Sequence, residues 1–307
     1  MKESIISSPH FHNEQAAYDF IEGILWPNGP ICPHCGSRER ISKMGGKSTR
    51  IGLYKCYICR KPFTVKIGTI FEDSHLKLHI WLQAIYLVCA SKKGCSANQL
   101  HRTLGVTLKT AWYLGHRIRE AMRGENLLPF GINGGIVEAD ETFIGHDPDI
   151  PKRRGYAHKF KVLSLLDRST GCTRSMVIDR LKASTIVPIL KENIEHEAHI
   201  LTDDAQYYDH LKDHFSKHDV VRHTNGEYVS PKDSTIHTNT IEGYFSIFKR
   251  GMKGVYQHCK KEHLHRYLAE FDFRYNQRIK KGVDDSARAE ILLRGVVGKR
   301  LTYQRAN

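Results

Sequence analysis

Four of the eight cysteines are paired at a spacing that makes a metal site. Cys32-Pro33-His34-Cys35 and Cys56-Tyr57-Ile58-Cys59 are two CxxC knuckles separated by 20 residues. Two residues between paired cysteines let one tight turn present both thiolates to a single ion, and four thiolates suit tetrahedral Zn²⁺. A redox CxxC is the plainer alternative for one pair, but two matched pairs predict one structural zinc. Cys89, Cys95, Cys172 and Cys259 show no such spacing and read as ordinary small residues. A ribbon this small folds only with its metal.

A second set of residues is acidic. Asp140 lies in the β-rich run Ile136–Ile144, and Asp203 follows the run His199–Thr202. Asn239 and Glu242 open a helical segment, with 35 and 38 residues between them and Asp203. Carboxylates suit the hard cation Mg²⁺. Phosphoryl transfer on a nucleic acid uses two such ions about 3.5–4 Å apart, one carboxylate bridging both. Taken singly, each acid has a structural reading: a strand-end surface group at Asp140, a helix cap at Asp203, half of a capping box at Asn239 and Glu242. Taken in order, they predict a nuclease-type centre. Glu141 and Asp204 should point away from it, because side chains alternate along a strand.

The elements that must position these residues can be read coarsely. Three strand-like runs, 136–144, 161–167 and 172–178, precede a helix over 183–195 and a further strand at 199–202. The turn 167–171 joins two of them as a hairpin. That order is α/β, with a hairpin ahead of a parallel crossover, and it is compatible with a ribonuclease H-like sheet. Upstream, Ser96 and Thr107 cap two short helices across Gly105-Val106. The pair resembles a helix-turn-helix, whose second helix enters the major groove. Lys109, Thr110 and Tyr113 are its candidate readers, with Arg117 and Arg119 expected at phosphates. The predicted organisation is a zinc ribbon over 1–75, a helix-turn-helix region over 76–126, a ribonuclease H-like catalytic domain over 130–283 and a tail over 284–307.

Composition narrows the class of partner. Lys plus Arg number 47 against 33 Asp plus Glu, a net charge of +14 over 307 residues. That excess favours a polyanion, most often nucleic acid. No signal peptide is visible and the greasiest run, 80–90, is too short for a bilayer. The expectation is a cytoplasmic, nucleoid-associated protein with no membrane partner.

With those residues in view, the chain resembles DDE-type insertion-sequence transposases, in the ISXO-like branch with an N-terminal zinc ribbon. The likeness runs from Cys32 to Arg278. It rests on the ribbon, on Val137-Glu138-Ala139-Asp140-Glu141-Thr142, on Leu201-Thr202-Asp203, and on the long block from His237 to Asn276. The resemblance implies that Asp140 and Asp203 are the first two ligands of two Mg²⁺ (or Mn²⁺) ions. It leaves the third place to Asn239 or Glu242. Glu242 is preferred because a carboxylate holds Mg²⁺ better than an amide. Lys249, seven residues along the same helix face, would reach a DNA phosphate. Arg250, Lys253 and the stretch Lys152-Arg153-Arg154 would grip the backbone. The family likeness further implies double-stranded DNA as partner, both element ends and target, and a homodimer or larger assembly. Two rivals remain. His263-Leu264-His265 with Tyr267 has the outline of a tyrosine nuclease, although Leu264, Tyr267, Leu268 and Phe271 fall at helical spacing. The other is a regulator derived from an inactive transposase.

Overall fold

A computed structural model describes residues 4–124, 127–222, 229–230 and 233–302. The chain forms two compact units, residues 1–122 with 277–307, and residues 123–276.

In the first unit, α1 (Glu14–Leu25) starts at Asn13, whose side chain accepts the Ala16 amide. A small antiparallel sheet follows, β1 (Ile41–Lys43), β2 (Tyr54–Cys56) and β3 (Pro62–Phe63). Next come α2 (Leu78–Ala90), α3 (Ala97–Leu104) and α4 (Leu108–Ala121). Glu14 of α1 accepts the Leu78 and His79 amides, satisfying orphan donors at the start of α2. The side chains of Ser96 and Thr107 cap α3 and α4 as the sequence suggests. Gly105 closes α3 at φ +67°, a left-handed turn that glycine adopts without a Cβ penalty. Buried Leu100, Leu104, Ala111, Leu114 and Ile118 lie on this helix pair.

The segment expected as a C-terminal tail departs from that expectation. It carries a helix, Asp285–Arg294, that packs on α1 and α2 within this unit. Buried Arg288 on it donates to the Cys89 and Gln277 carbonyls. Its apolar residues Leu292 and Leu293 are buried.

The second unit is built on a five-stranded sheet. Its strands are β4 (Ile136–Ile144), β5 (Phe160–Asp167), β6 (Cys172–Ile178), β7 (His199–Asp203) and β8 (Lys217–Val221), in the spatial order β6-β5-β4-β7-β8. The first three pair antiparallel, and β4, β7 and β8 run parallel. This is the order of a ribonuclease H-like sheet. The helix α5 (Ala183–Asn193) covers one face, burying Ile186 and Leu190 against Val137, Ala139, Leu163, Leu165 and Ile200. On the other face lie α6 (Asn239–Gly251) and α7 (Lys261–Asn276), whose Tyr244, Phe248, Leu264 and Phe271 pack with Ile144, Val162 and Leu166. The central strands β4 and β5 therefore carry a separate apolar set for each face.

Edge strand β6 is covered by α7. Asn276 accepts the Thr173 amide and donates to the Thr173 carbonyl, while half-buried Asp272 accepts from Ser175 N, Ser175 Oγ, Thr173 Oγ1 and the Tyr244 hydroxyl. These bonds satisfy the Thr173 amide and carbonyl and the Ser175 amide on the strand's open edge, blunting that end as a template for another strand. They also fix α7 and, through Tyr244, α6 against the sheet.

Candidate active site

Alternation along β4 decides which acids converge. Val137 and Ala139 belong to the apolar cluster on the α5 face. Glu141 shares their parity and accepts hydrogen bonds from the Tyr207 hydroxyl, at 2.7 Å, and the Tyr208 hydroxyl. Glu138 shares the parity of Asp140 and accepts the Ile241 amide of α6, so Asp140 belongs to the α6 face. The parallel β4–β7 register runs from Ile136 opposite His199 to Glu138 opposite Leu201. Two residues further along, the same register sets Asp140 beside Asp203, where β7 ends.

The electrostatics agree with that geometry. Burial pushes the Asp140 carboxyl well above its usual range, and the charges of Glu141, Asp203 and Glu242 push it further. Glu242 stands in the first turn of α6, exposed, with Asn239 three residues earlier on the same helix face. Lys249 is half-buried on that helix with its ammonium 5.9 Å from the Phe245 ring centroid. Burial lowers its pKa, while Asp140 and Glu242 act to raise it. Four of the expected site residues, Asp140, Asp203, Glu242 and Lys249, therefore feel one another's charge or share a register. A carboxyl whose ionisation is disfavoured by burial and by neighbouring acids gains from a cation taken up beside it.

Asn239 is not the cap of α6. Thr238 holds that place, and Asn239 is the first helical residue, its amide donating to His237 Nδ1 at 3.3 Å. The Glu242 amide donates to the Thr238 carbonyl and the Asn239 amide to His237 Nδ1, so neither bond of a capping box forms between Asn239 and Glu242.

The zinc ligands are brought together as expected. One ligand atom from each of Cys32, Cys35, Cys56 and Cys59 lies within 4.8 Å of the others. The Cys32–Cys59 sulfurs are 3.6 Å apart and the Cys35–Cys56 sulfurs 3.7 Å. A tetrahedron with Zn–S bonds of about 2.3 Å has edges of about 3.8 Å, so the donor set fits zinc in kind and size. Among the described residues Asp140, Asp203 and Glu242 do not close this tightly.

The expected DNA contacts separate into two groups. Lys109 on α4 and Lys152, Arg153, Arg154, Arg250 and Lys253 are exposed. Tyr113 is half-buried, its hydroxyl donating to the Leu301 carbonyl. Arg117, expected at a phosphate, is only 4% exposed. Its guanidinium donates to the Glu72 carbonyl and lies over the Trp81 and Tyr113 rings. Arg119 is equally buried. Both arginines are corrected from phosphate contacts to parts of the helical core, because their helix face turns inward with Leu114 and Ile118. His263, His265 and Tyr267 lie together on one helix, α7, which lacks the strand-borne histidine pair of a tyrosine nuclease.

Sequence reasoning missed Glu138 and Arg168. Glu138 is fully buried and ion-paired to Arg168 at 2.6 Å. Its signal was available, since an acid two residues before Asp140 on a buried strand needs a partner. The partner, 30 residues on, had none.

These features define a zinc-ribbon protein with a ribonuclease H-like sheet that gathers acids beside a helix-borne lysine. Residues 132–276 match the ISXO2-like transposase domain, and residues 12–62 match the transposase zinc-ribbon domain. An uncharacterized protein in transposable element ISH50 of Halobacterium salinarum is 30% identical over 282 residues, covering 86% of this chain and 91% of that protein. The chain belongs to the ISXO2-like transposase family. Two solved structures are more distant. The HTLV-2 integrase catalytic core domain in complex with magnesium covers 47% of this chain and 86% of its own, at 15% identity and a TM-score of 0.26. The simian T-cell lymphotropic virus intasome in complex with PP2A regulatory subunit B56 gamma covers 63% and 65%, at 16% identity and a TM-score of 0.30. The fold assignment rests on strand order and the family match.

Proposed function

We propose that this chain cuts and joins double-stranded DNA at the ends of an insertion sequence, with Asp140, Asp203 and Glu242 holding two Mg²⁺ or Mn²⁺ ions. The observation that carries this reading is the convergence of acids from β4, β7 and α6 on one face of the sheet, where Asp140 resists ionisation. Such ions, when bound, lower the pKa of an attacking hydroxyl and neutralise charge on the leaving oxygen. The protein's part is positional. The sheet fixes Asp140 and Asp203 side by side, and the first turn of α6 brings Glu242 to them. Lys249 stands where a backbone phosphate beside the acids would meet its ammonium. No serine or tyrosine nucleophile is required.

Lys152, Arg153, Arg154, Arg250 and Lys253 supply exposed charge for phosphates, which gives affinity without sequence preference. The ribbon and α4 with Lys109 and Tyr113 read the element ends. One zinc in the four-cysteine site holds the ribbon. The working form is a homodimer or larger assembly on DNA in the cytoplasm. Among the described residues no helix is long and apolar enough to cross a membrane.

The deciding experiment is Mg²⁺-dependent cleavage of a DNA carrying the element end, wild type against Asp140→Ala. Cleavage by the wild type alone supports the proposal. End binding without cleavage by either protein favours a DNA-binding regulator instead.

A further inference from the structure

Glu138 is fully buried, yet both of its carboxylate oxygens are engaged by different parts of the fold. Oε2 accepts the Ile241 amide at 2.8 Å, the third amide of α6. Oε1 accepts Arg168 Nε at 2.6 Å. Arg168 spreads its remaining donors over the segment leading into α6: Nη2 donates to the His237 carbonyl at 2.7 Å and to His237 Nδ1 at 2.9 Å, and Nη1 donates to the Thr235 carbonyl. His237 Nδ1 also accepts the Asn239 amide. With two donors aimed at it, that nitrogen carries no proton, so the ring is neutral with its hydrogen on Nε2.

Glu138 and Asp140 occupy the same face of β4, two residues apart. Glu242 is the residue after Ile241. The bond from Glu138 to Ile241 N therefore ties the strand bearing the first acid directly to the helical turn bearing the third. We propose that Glu138 and Arg168 form a clamp that sets the start of α6 against β4, making Glu138 a positioning residue for the metal-binding acids. This rests on the metal-holding role given to Asp140, Asp203 and Glu242 above. A buried carboxylate with one helix amide and one arginine is costly to hold unless both partners stay in place. Groups hydrogen-bonded directly to metal ligands typically change metal affinity about 10–100-fold when removed, and Glu138, which acts one residue away from Glu242, is expected at the lower end of that range.

The test uses full-length protein and Mn²⁺ as probe. Glu138→Gln keeps the side-chain volume but turns an NH₂ group toward one of two existing donors. Arg168→Lys keeps a cation beside Glu138 but cannot reach the Thr235 and His237 carbonyls together. Amide hydrogen exchange at Ile241 and calorimetric Mn²⁺ titration are measured on each, with thermal unfolding to establish that the variant is folded. The clamp predicts faster exchange at Ile241 and at least about tenfold weaker Mn²⁺ binding in either folded variant. It also predicts a raised half-saturating Mn²⁺ concentration for cleavage, with the rate at saturating metal largely recovered. A purely structural role would lower the amount of folded protein and leave that half-saturation point unmoved. Unchanged Mn²⁺ affinity in a folded variant overturns the clamp. If the wild type binds no Mn²⁺ at the acids, the proposed function fails first. Faster exchange at Ile241 would then mark Glu138 as a structural cap only.

Discussion

The four-cysteine ribbon and the acidic sheet both gather side chains that suit metal, but they do so by opposite means. In the ribbon, buried Cys32 and Cys56 make up the apolar core together with Tyr54 and Phe63, flanked by Trp26 and Ile67. Half of that core is ligand. In the sheet, two separate apolar clusters pack above and below the strands, and Asp140, Asp203 and Glu242 belong to neither. The ribbon's core is built partly from the zinc ligands themselves, whereas the sheet holds its acids in place by packing and by the hydrogen bonds that fix α6 to it, with no ligand in either apolar cluster. The difference teaches where each site is vulnerable: loss of ligands should unfold the first and merely silence the second.

The largest effect should come from the ribbon. Replacing Cys56 by Ser, or stripping zinc, removes a binding free energy on the order of 10 kcal/mol that in small zinc modules is folding free energy. Zinc analysis and hydrogen exchange should show loss of about one zinc per chain and of protection over 32–63, with residues 123–276 still melting cooperatively. Retained zinc in Cys56→Ser would break the contrast from that side.

Asp140→Ala tests the other side. Loss of a metal ligand should remove ~4 kcal/mol or more of transition-state stabilisation, roughly 10³-fold in cleavage rate. The melting temperature should hold or rise, because a carboxyl repelled by its neighbours is gone. A folding defect in this variant would mean that the sheet depends on its acids after all.

Glu141 sharpens the comparison through pH. Burial is the main cause that raises its carboxyl from 4.5 to about 7, against the lowering effect of the Tyr207 and Tyr208 hydrogen bonds. The folded state then binds more protons than the unfolded state between those values, so stability falls as pH rises through that window. Without added magnesium, wild type should lose up to ~3 kcal/mol relative to Glu141→Gln between about pH 4.5 and 7. Denaturant midpoints of the two proteins across pH 4–8 measure it, and parallel curves would refute it.

Smaller effects concern the edges of the site. Lys249→Ala with Arg250→Ala should weaken binding to end and random DNA alike, each lost contact reducing the salt slope by about 0.9. A Lys109 change should instead erode discrimination between the two, and equal loss on both would count against base reading there. Asn239→Ala should cost no more than ~0.5 kcal/mol in denaturant unfolding, since Thr238 holds the cap and Asn239 is exposed. Activity should survive. If cleavage dies with Asn239→Ala and survives Glu242→Ala, the amide is the third ligand.

By itself, the sequence determined what is local. Knuckle spacing gathered the four cysteines, Ser96 and Thr107 marked two helix starts, and period-two alternation put Asp140 and Glu141 on opposite faces of one strand. Strand order was legible as far as β7. Strand β8 was not, because Lys217–Val221 is short and has a polar start that carries little periodic signal. Only the tertiary structure placed Asp285–Arg294 with α1 and α2, turned Arg117 and Arg119 into the core, and gave Glu138 its partners in Arg168 and Ile241. Those pairings join residues from 30 to about 200 positions apart. A short window of sequence records propensity and capping, whereas a long-range pairing is selected by the burial and hydrogen bonding of the whole fold.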